Sequence, residues 1–171
     1  ELDIYIPKFD IAIEFNGLYW HSEKMGRTKD KHITKWKLCA SKGIQLIVVW
    51  EDDWMLRRKI VESMISHKLG VSQDRKVYAR NIFSDSVDFA TARDFLDEYH
   101  IQGSSKGSKY IGLYDQDSDL VAVSSWRKNK NTLYLDRYAT SCVVVGGMGK
   151  LLKKGISLSL IHISEPTRQA E

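Results

Sequence analysis

The 171 residues are 43% hydrophobic and 28% charged, ordinary globular material for one domain or two small ones, which excludes a disordered chain. No run approaches the roughly 18 apolar residues of a membrane helix, and no basic-then-apolar leader opens the chain, so it reads as an intracellular protein with no membrane partner. The net charge of +4 and pI near 9.0 suit a polyanionic partner without requiring one.

In chain order, Leu2 to Ile6 and Ile11 to Phe15 are short β-branched runs separated by Pro7 to Asp10, which predicts a hairpin. A basic loop follows Gly17, and a helix is expected from about Lys29 to Lys42, with Ile33, Trp36 or Lys37, and Ala40 on its apolar face and Gly43 closing it. Gln45 to Trp50 reads as a buried strand. From Asp53 to Leu69 the positions Trp54, Ile60, Val61, Met64, Ile65 and Leu69 describe a second amphipathic helix with an acidic start and a stop at Gly70. The order is ββαβα over residues 1–70, followed by a polar linker at 71–76.

Residues 77–157 predict a second small α/β unit. Its elements are a strand at Val77 to Asn81, a helix around Thr91 to Tyr99, strands at Tyr110 to Tyr114, Leu120 to Trp126 and Thr132 to Tyr138, and Val143 to Val145 leading into a helix at Met148 to Lys154. Both ends are expected to be artificial. The chain starts without methionine inside a strand, and residues 158–171 back-translate to a transposase-based sequencing adapter, so nothing after about Ser157 is expected to inform function. Cys39 and Cys142 lie far apart and outside any CxxC pair, and read as buried thiols rather than as a disulfide or zinc site.

Two carboxylates stand out. Asp3 opens the first strand, and Glu14 lies eleven positions later inside the apolar run Ile11-Ala12-Ile13-Glu14-Phe15. A carboxylate there needs a cation, because an unpaired buried charge is costly. Carboxylates holding Mg²⁺ can neutralise a phosphodiester and activate water. The hairpin doubles back, so two acids at its open end can face one ion; alternatively Asp3 caps a strand and Glu14 pairs with a helix lysine. Between Lys24 and Lys42, seven Lys or Arg face Asp30 alone, which is either a phosphate footprint or a solvated basic face.

Leu2-Asp3 with Glu14-Phe15-Asn16 resembles the PD-(D/E)xK signature, with leucine for proline and Asn16 where lysine is usual. Gly17-Leu18-Tyr19-Trp20-His21 and the step from Gly43 to Glu51 resemble the very short patch repair endonucleases. The match is closer to phage-encoded homing endonucleases of that fold, with their Glu-x-Asn-Gly turn, Tyr-Trp-His run, helix carrying His and Lys, and Glu-Asp-x-Trp helix start. The resemblance spans roughly residues 1–70 and implies a restriction-endonuclease-like mixed sheet core and Mg²⁺-dependent cleavage of double-stranded DNA. It implies metal binding by Asp3 and Glu14, and a catalytic set that adds Asn16, His21, His32 and Lys35. Because Asn16 is no cation, His21 or His32 would orient or deprotonate the water, and Lys35 would meet the scissile phosphate. Tyr19 and Trp20 match aromatics inserted into the base stack, and Lys24, Arg27, Lys29 and Lys31 are the expected backbone contacts. The second unit, with Gly146-Gly147-Met148-Gly149 before its last helix, resembles a GNAT-type N-acyltransferase, which implies coenzyme A binding or a degenerate fold used for DNA contact. A tight turn explains the same glycines. An acyltransferase with an inactive nuclease-like first unit, and a non-catalytic DNA-binding protein, are the alternative functions.

Overall fold

A computed structural model of the protein describes residues 1–17, 29–72, 74–130 and 132–163; the side chains of 29–32 and 158–163 are not described. The chain is mixed α/β and divides into two compact units, Glu1–Gln73 and Asp74–Glu171.

In the first unit, β1 (Ile4–Ile6) and β2 (Ile11–Asn16) form the expected antiparallel hairpin, with Ile4 opposite Ile13 and Ile6 opposite Ile11. Pro7, whose ring presets φ, starts a single 3-10 turn over Pro7–Phe9, and Asp10 closes it at φ 49° with its N–H on the Pro7 carbonyl. β2 pairs parallel with β3 (Gln45–Trp50), Asn16 lying beside Trp50. A parallel pair needs a crossover. Helix α1 (Lys29–Ser41) supplies it, and Gly43 ends it at φ 72°, a left-handed conformation that glycine adopts without steric cost.

Three expectations about this unit are corrected. β3 is a sheet edge, so only Val49 is buried while Val48 and Trp50 are exposed. The face of α1 expected to be apolar points outward: Ile33 and Trp36 are exposed, Trp36 by 57%, and the inward positions are Cys39 and, half-buried, Lys35. The single helix expected over Asp53 to Leu69 is two, α2 (Glu51–Leu56) and α3 (Arg58–Lys68), because Arg57 leaves helical space at φ −136°, ψ 34°. The apolar stripe carries Arg57 and Arg58 where a continuous helix would need an inward apolar residue.

The second unit contains β4 (Lys76–Tyr78), β5 (Phe83–Ser86), α4 (Phe89–Tyr99), β6 (Lys109–Tyr114), β7 (Leu120–Asn129), β8 (Thr132–Thr140), β9 (Val143–Val145) and α5 (Gly147–Ile163). β5, β6, β7 and β8 make an antiparallel four-stranded sheet in that order, while β4 and β9 pair in parallel. Alternation along the strands feeds two cores. One packs Ile111, Leu113, Val121 and Trp126 with Leu151 of α5; the other packs Val123 and Ala139 with Ala92, Phe95 and Leu96 of α4. Asp88 caps α4, its Oδ1 accepting from the Thr91 N–H at 3.0 Å and its Oδ2 from the Thr91 hydroxyl at 2.6 Å. These bonds hold the Asp88 carboxyl below its usual range.

The strand expected over Val77 to Asn81 stops at Tyr78 and becomes a 3-10 turn over Ala79–Asn81. β5 was not foreseen, because Phe-Ser-Asp-Ser offers one apolar residue and no alternation. α5 runs through Ile163, past the expected boundary near Ser157. Among the described residues no helix is long and apolar enough to cross a membrane.

Candidate active site

The hairpin register ends with Ile4 opposite Ile13, so Asp3 and Glu14 are the next residues at its open end. Asp3 is exposed, and its Oδ2 accepts from the Phe15 N–H at 2.8 Å, so this carboxylate caps the strand end. Glu14 is largely covered: its side chain is 13% exposed and its Oε1 is paired with the Lys35 ammonium, whose side chain is 29% exposed. Both sequence alternatives, a capping Asp3 and a Glu14 paired with a helix lysine, are thus realised in the geometry.

Neither contact uses up the site. Among the described residues, Glu14 Oε2 is buried without a hydrogen-bond partner, and so are both Oδ1 and Nδ2 of the fully buried Asn16. Positions 14 and 16 lie on one face of β2, since strand side chains alternate with a period of two. Native proteins rarely leave buried polar atoms unbonded. Glu14 Oε2 and Asn16 Oδ1 are hard oxygen donors of the kind that hold Mg²⁺, and Asp3 adds a further carboxylate at the strand end. Their oxygens match a divalent cation in donor type, while among the described residues no three or more His, Cys, Asp or Glu gather at one point.

Lys35 reaches Glu14 because α1 turns positions 35 and 39 inward, one helical turn apart. The cation paired with Glu14 thus comes from the crossover helix. Of the other expected site residues, Tyr19, Trp20, His21, Lys24 and Arg27 lie outside the described residues. Lys29, Lys31 and His32 lie in the first turn of α1, with side chains outside the description. Cys39 is buried and Cys142 half-buried, its thiol pushed up by burial.

In the second unit, Gly146 before α5 and Gly147 at its first position have local structural causes. Gly146 sits at φ 78°, and a Cβ on Gly147 would lie 2.6 Å from Val144 Cγ1. Gly149 faces open space. Asp115 is buried at the start of the β6–β7 turn. Burial alone would raise its carboxyl, but the Asp119 N–H at 2.9 Å, the Arg75 guanidinium and the Asp117 N–H at 3.0 Å outweigh it and hold the carboxyl below the usual range.

No protein-family model matches this chain, and no curated protein matches it.

Proposed function

We propose that the chain is a metal-dependent DNA endonuclease of the PD-(D/E)xK class, of the phage homing type, whose first unit is a restriction-endonuclease-like core cutting double-stranded DNA. The observation that carries this reading is the open end of the β1–β2 hairpin. There Asp3, just before β1, accepts from the Phe15 N–H, while Glu14, with one oxygen on Lys35 and the other unbonded among the described residues, and the buried Asn16 share one face of β2.

Asp3, Glu14 and Asn16 Oδ1 would hold the divalent ion. When bound, such an ion neutralises phosphate charge and lowers the pKa of water. Lys35 holds Glu14 in place through its ammonium and brings a positive charge to the position where a phosphate oxygen gains charge during cleavage. The proton acceptor is assigned to His21 or His32, the two candidates that remain once Asn16 replaces lysine.

The test is relaxation of supercoiled plasmid by the full chain in Mg²⁺ and in EDTA. Wild type is expected to nick only in Mg²⁺. Asp3→Ala and Glu14→Ala should lose that activity with an unchanged circular dichroism spectrum, and Lys35→Ala should slow it by about a hundredfold. Undiminished nicking by either carboxylate variant overturns the two-carboxylate site.

A further inference from the structure

We infer that the end of the four-stranded sheet where β7 turns into β8 is a second duplex-DNA surface, one that grips the sugar-phosphate backbone; the inference rests on reading the chain as a DNA endonuclease. β6 begins at Lys109, opposite Trp126, so β7 and β8 run on beyond it as a two-stranded ribbon. In that ribbon Arg127 faces Tyr134, Lys128 faces Leu133 and Asn129 faces Thr132. Three residue pairs project by about 10 Å at roughly 3.3 Å per residue. Arg127, Lys128, Asn129, Lys130 and Thr132 are all exposed, and Tyr134 is 48% exposed.

The loop before β6 is fastened to the root of this ribbon. The Ser108 N–H donates to the Trp126 carbonyl at 2.6 Å, the Lys128 N–H to Ser108 Oγ at 3.0 Å, and the Gly107 N–H to the Tyr110 hydroxyl at 2.6 Å. Ser105 and Ser125 hydroxyls meet at 3.1 Å. The loop therefore places Lys106 and Lys109 beside the ribbon. Residues 104–109 and 126–137 together carry six Lys or Arg against the single acid Asp136, which is itself engaged by Arg127 at 3.2 Å and Arg137 at 3.7 Å.

The opposite end of the sheet lacks that excess. The β6–β7 turn carries Asp115, Asp117 and Asp119, of which the buried Asp115 is paired with Arg75. The basic end is therefore the one a polyanion favours. A two-stranded ribbon is narrow enough for the major groove of B-form DNA. Flexible lysines around it match phosphates on both sides, while the tip offers the amide, hydroxyl and guanidinium donors of Asn129, Thr132 and Arg127. The exposed tip is polar rather than apolar, which favours a phosphate backbone over a lipid surface or an apolar protein groove.

The test is duplex binding by the full chain in EDTA, followed by fluorescence anisotropy over a salt series. Wild type is compared with a variant carrying Lys106→Gln, Lys109→Gln, Lys128→Gln and Lys130→Gln. Each phosphate contact contributes about 0.9 to the slope of log affinity against log salt, so the four-lysine variant is expected to flatten that slope by about 3.6 and to bind on the order of a hundredfold more weakly. The same four positions changed to arginine should retain both slope and affinity. If the glutamine variant misfolds by circular dichroism, Lys128→Gln with Lys130→Gln at the exposed tip should lose about half of the slope change. Unchanged slope and affinity overturn the inference, as does a preference for single-stranded RNA over duplex DNA. The nuclease reading fails separately: weakened binding by the variant with no Mg²⁺-dependent nicking by wild type keeps this surface and removes the nuclease, whereas intact binding with intact nicking does the reverse.

Discussion

Asn16 is buried with neither amide atom bonded, and Glu14, two positions earlier, leaves Oε2 unbonded. A buried unsatisfied polar group costs about 1–3 kcal/mol, and replacing it by an apolar side chain of similar shape removes that cost. The proposed metal site would account for such a residue, since ligand-binding sites are kept at the expense of stability. Asn16→Leu is therefore expected to raise the unfolding free energy in EDTA by about 1 kcal/mol and to lose metal-dependent nicking. Destabilisation with undiminished nicking would return Asn16 to a structural role. The sequence marks Glu14 by its place in an apolar run and Asn16 by its place in the motif. It offers Lys35 as a site residue and a helix lysine as the partner of Glu14, but not that the two are one residue, because that contact joins residues 21 apart and depends on how α1 is rotated about its axis.

At the level of elements, the hairpin, the crossover and strands β6 to β9 were legible because β-branched runs end at clear turn residues. Helix faces were harder. α1 has apolar residues around most of its circumference, so Ile33 and Trp36 suggested one buried face while packing chose the one bearing Lys35 and Cys39. The glycines before α5 matched a cofactor-loop pattern, yet Gly147 has a packing cause. A methyl group there would stand 2.6 Å from Val144 Cγ1, 3.1 Å from the Tyr138 hydroxyl and 3.2 Å from Leu113 Cδ1. Gly147→Ala is expected to destabilise the second unit by about 1–3 kcal/mol through overpacking, measured by chemical denaturation. A neutral or stabilising outcome would mean that β9 and α5 can separate without cost, against the packing described.

At the scale of the whole molecule, the apolar clusters among the described residues lie in the second unit, and both units expose large apolar side chains, Trp36 and Leu56 in the first and Phe89 and Ile156 in the second. Acid should reveal the network at Asp115. Its carboxyl is held below the unfolded value, so the folded state binds fewer protons there than the unfolded state, and stability rises with pH. That contribution is complete above the unfolded carboxyl value of about 3.9 and is lost as pH falls toward the depressed folded one. Asp115→Asn should thus lower the melting temperature near neutral pH and approach wild type below about pH 3. A gap that stays constant with pH would contradict the network.

The proposed nuclease activity depends on Glu14 holding a divalent ion. Mn²⁺ suits the same oxygen ligands as Mg²⁺ and can be followed directly by electron paramagnetic resonance. Titration of the full chain is expected to show wild type binding Mn²⁺ and Glu14→Ala binding it about tenfold or more weakly, a loss at least as large as that from removing an outer-shell partner. Equal Mn²⁺ affinity in the two proteins would contradict the account.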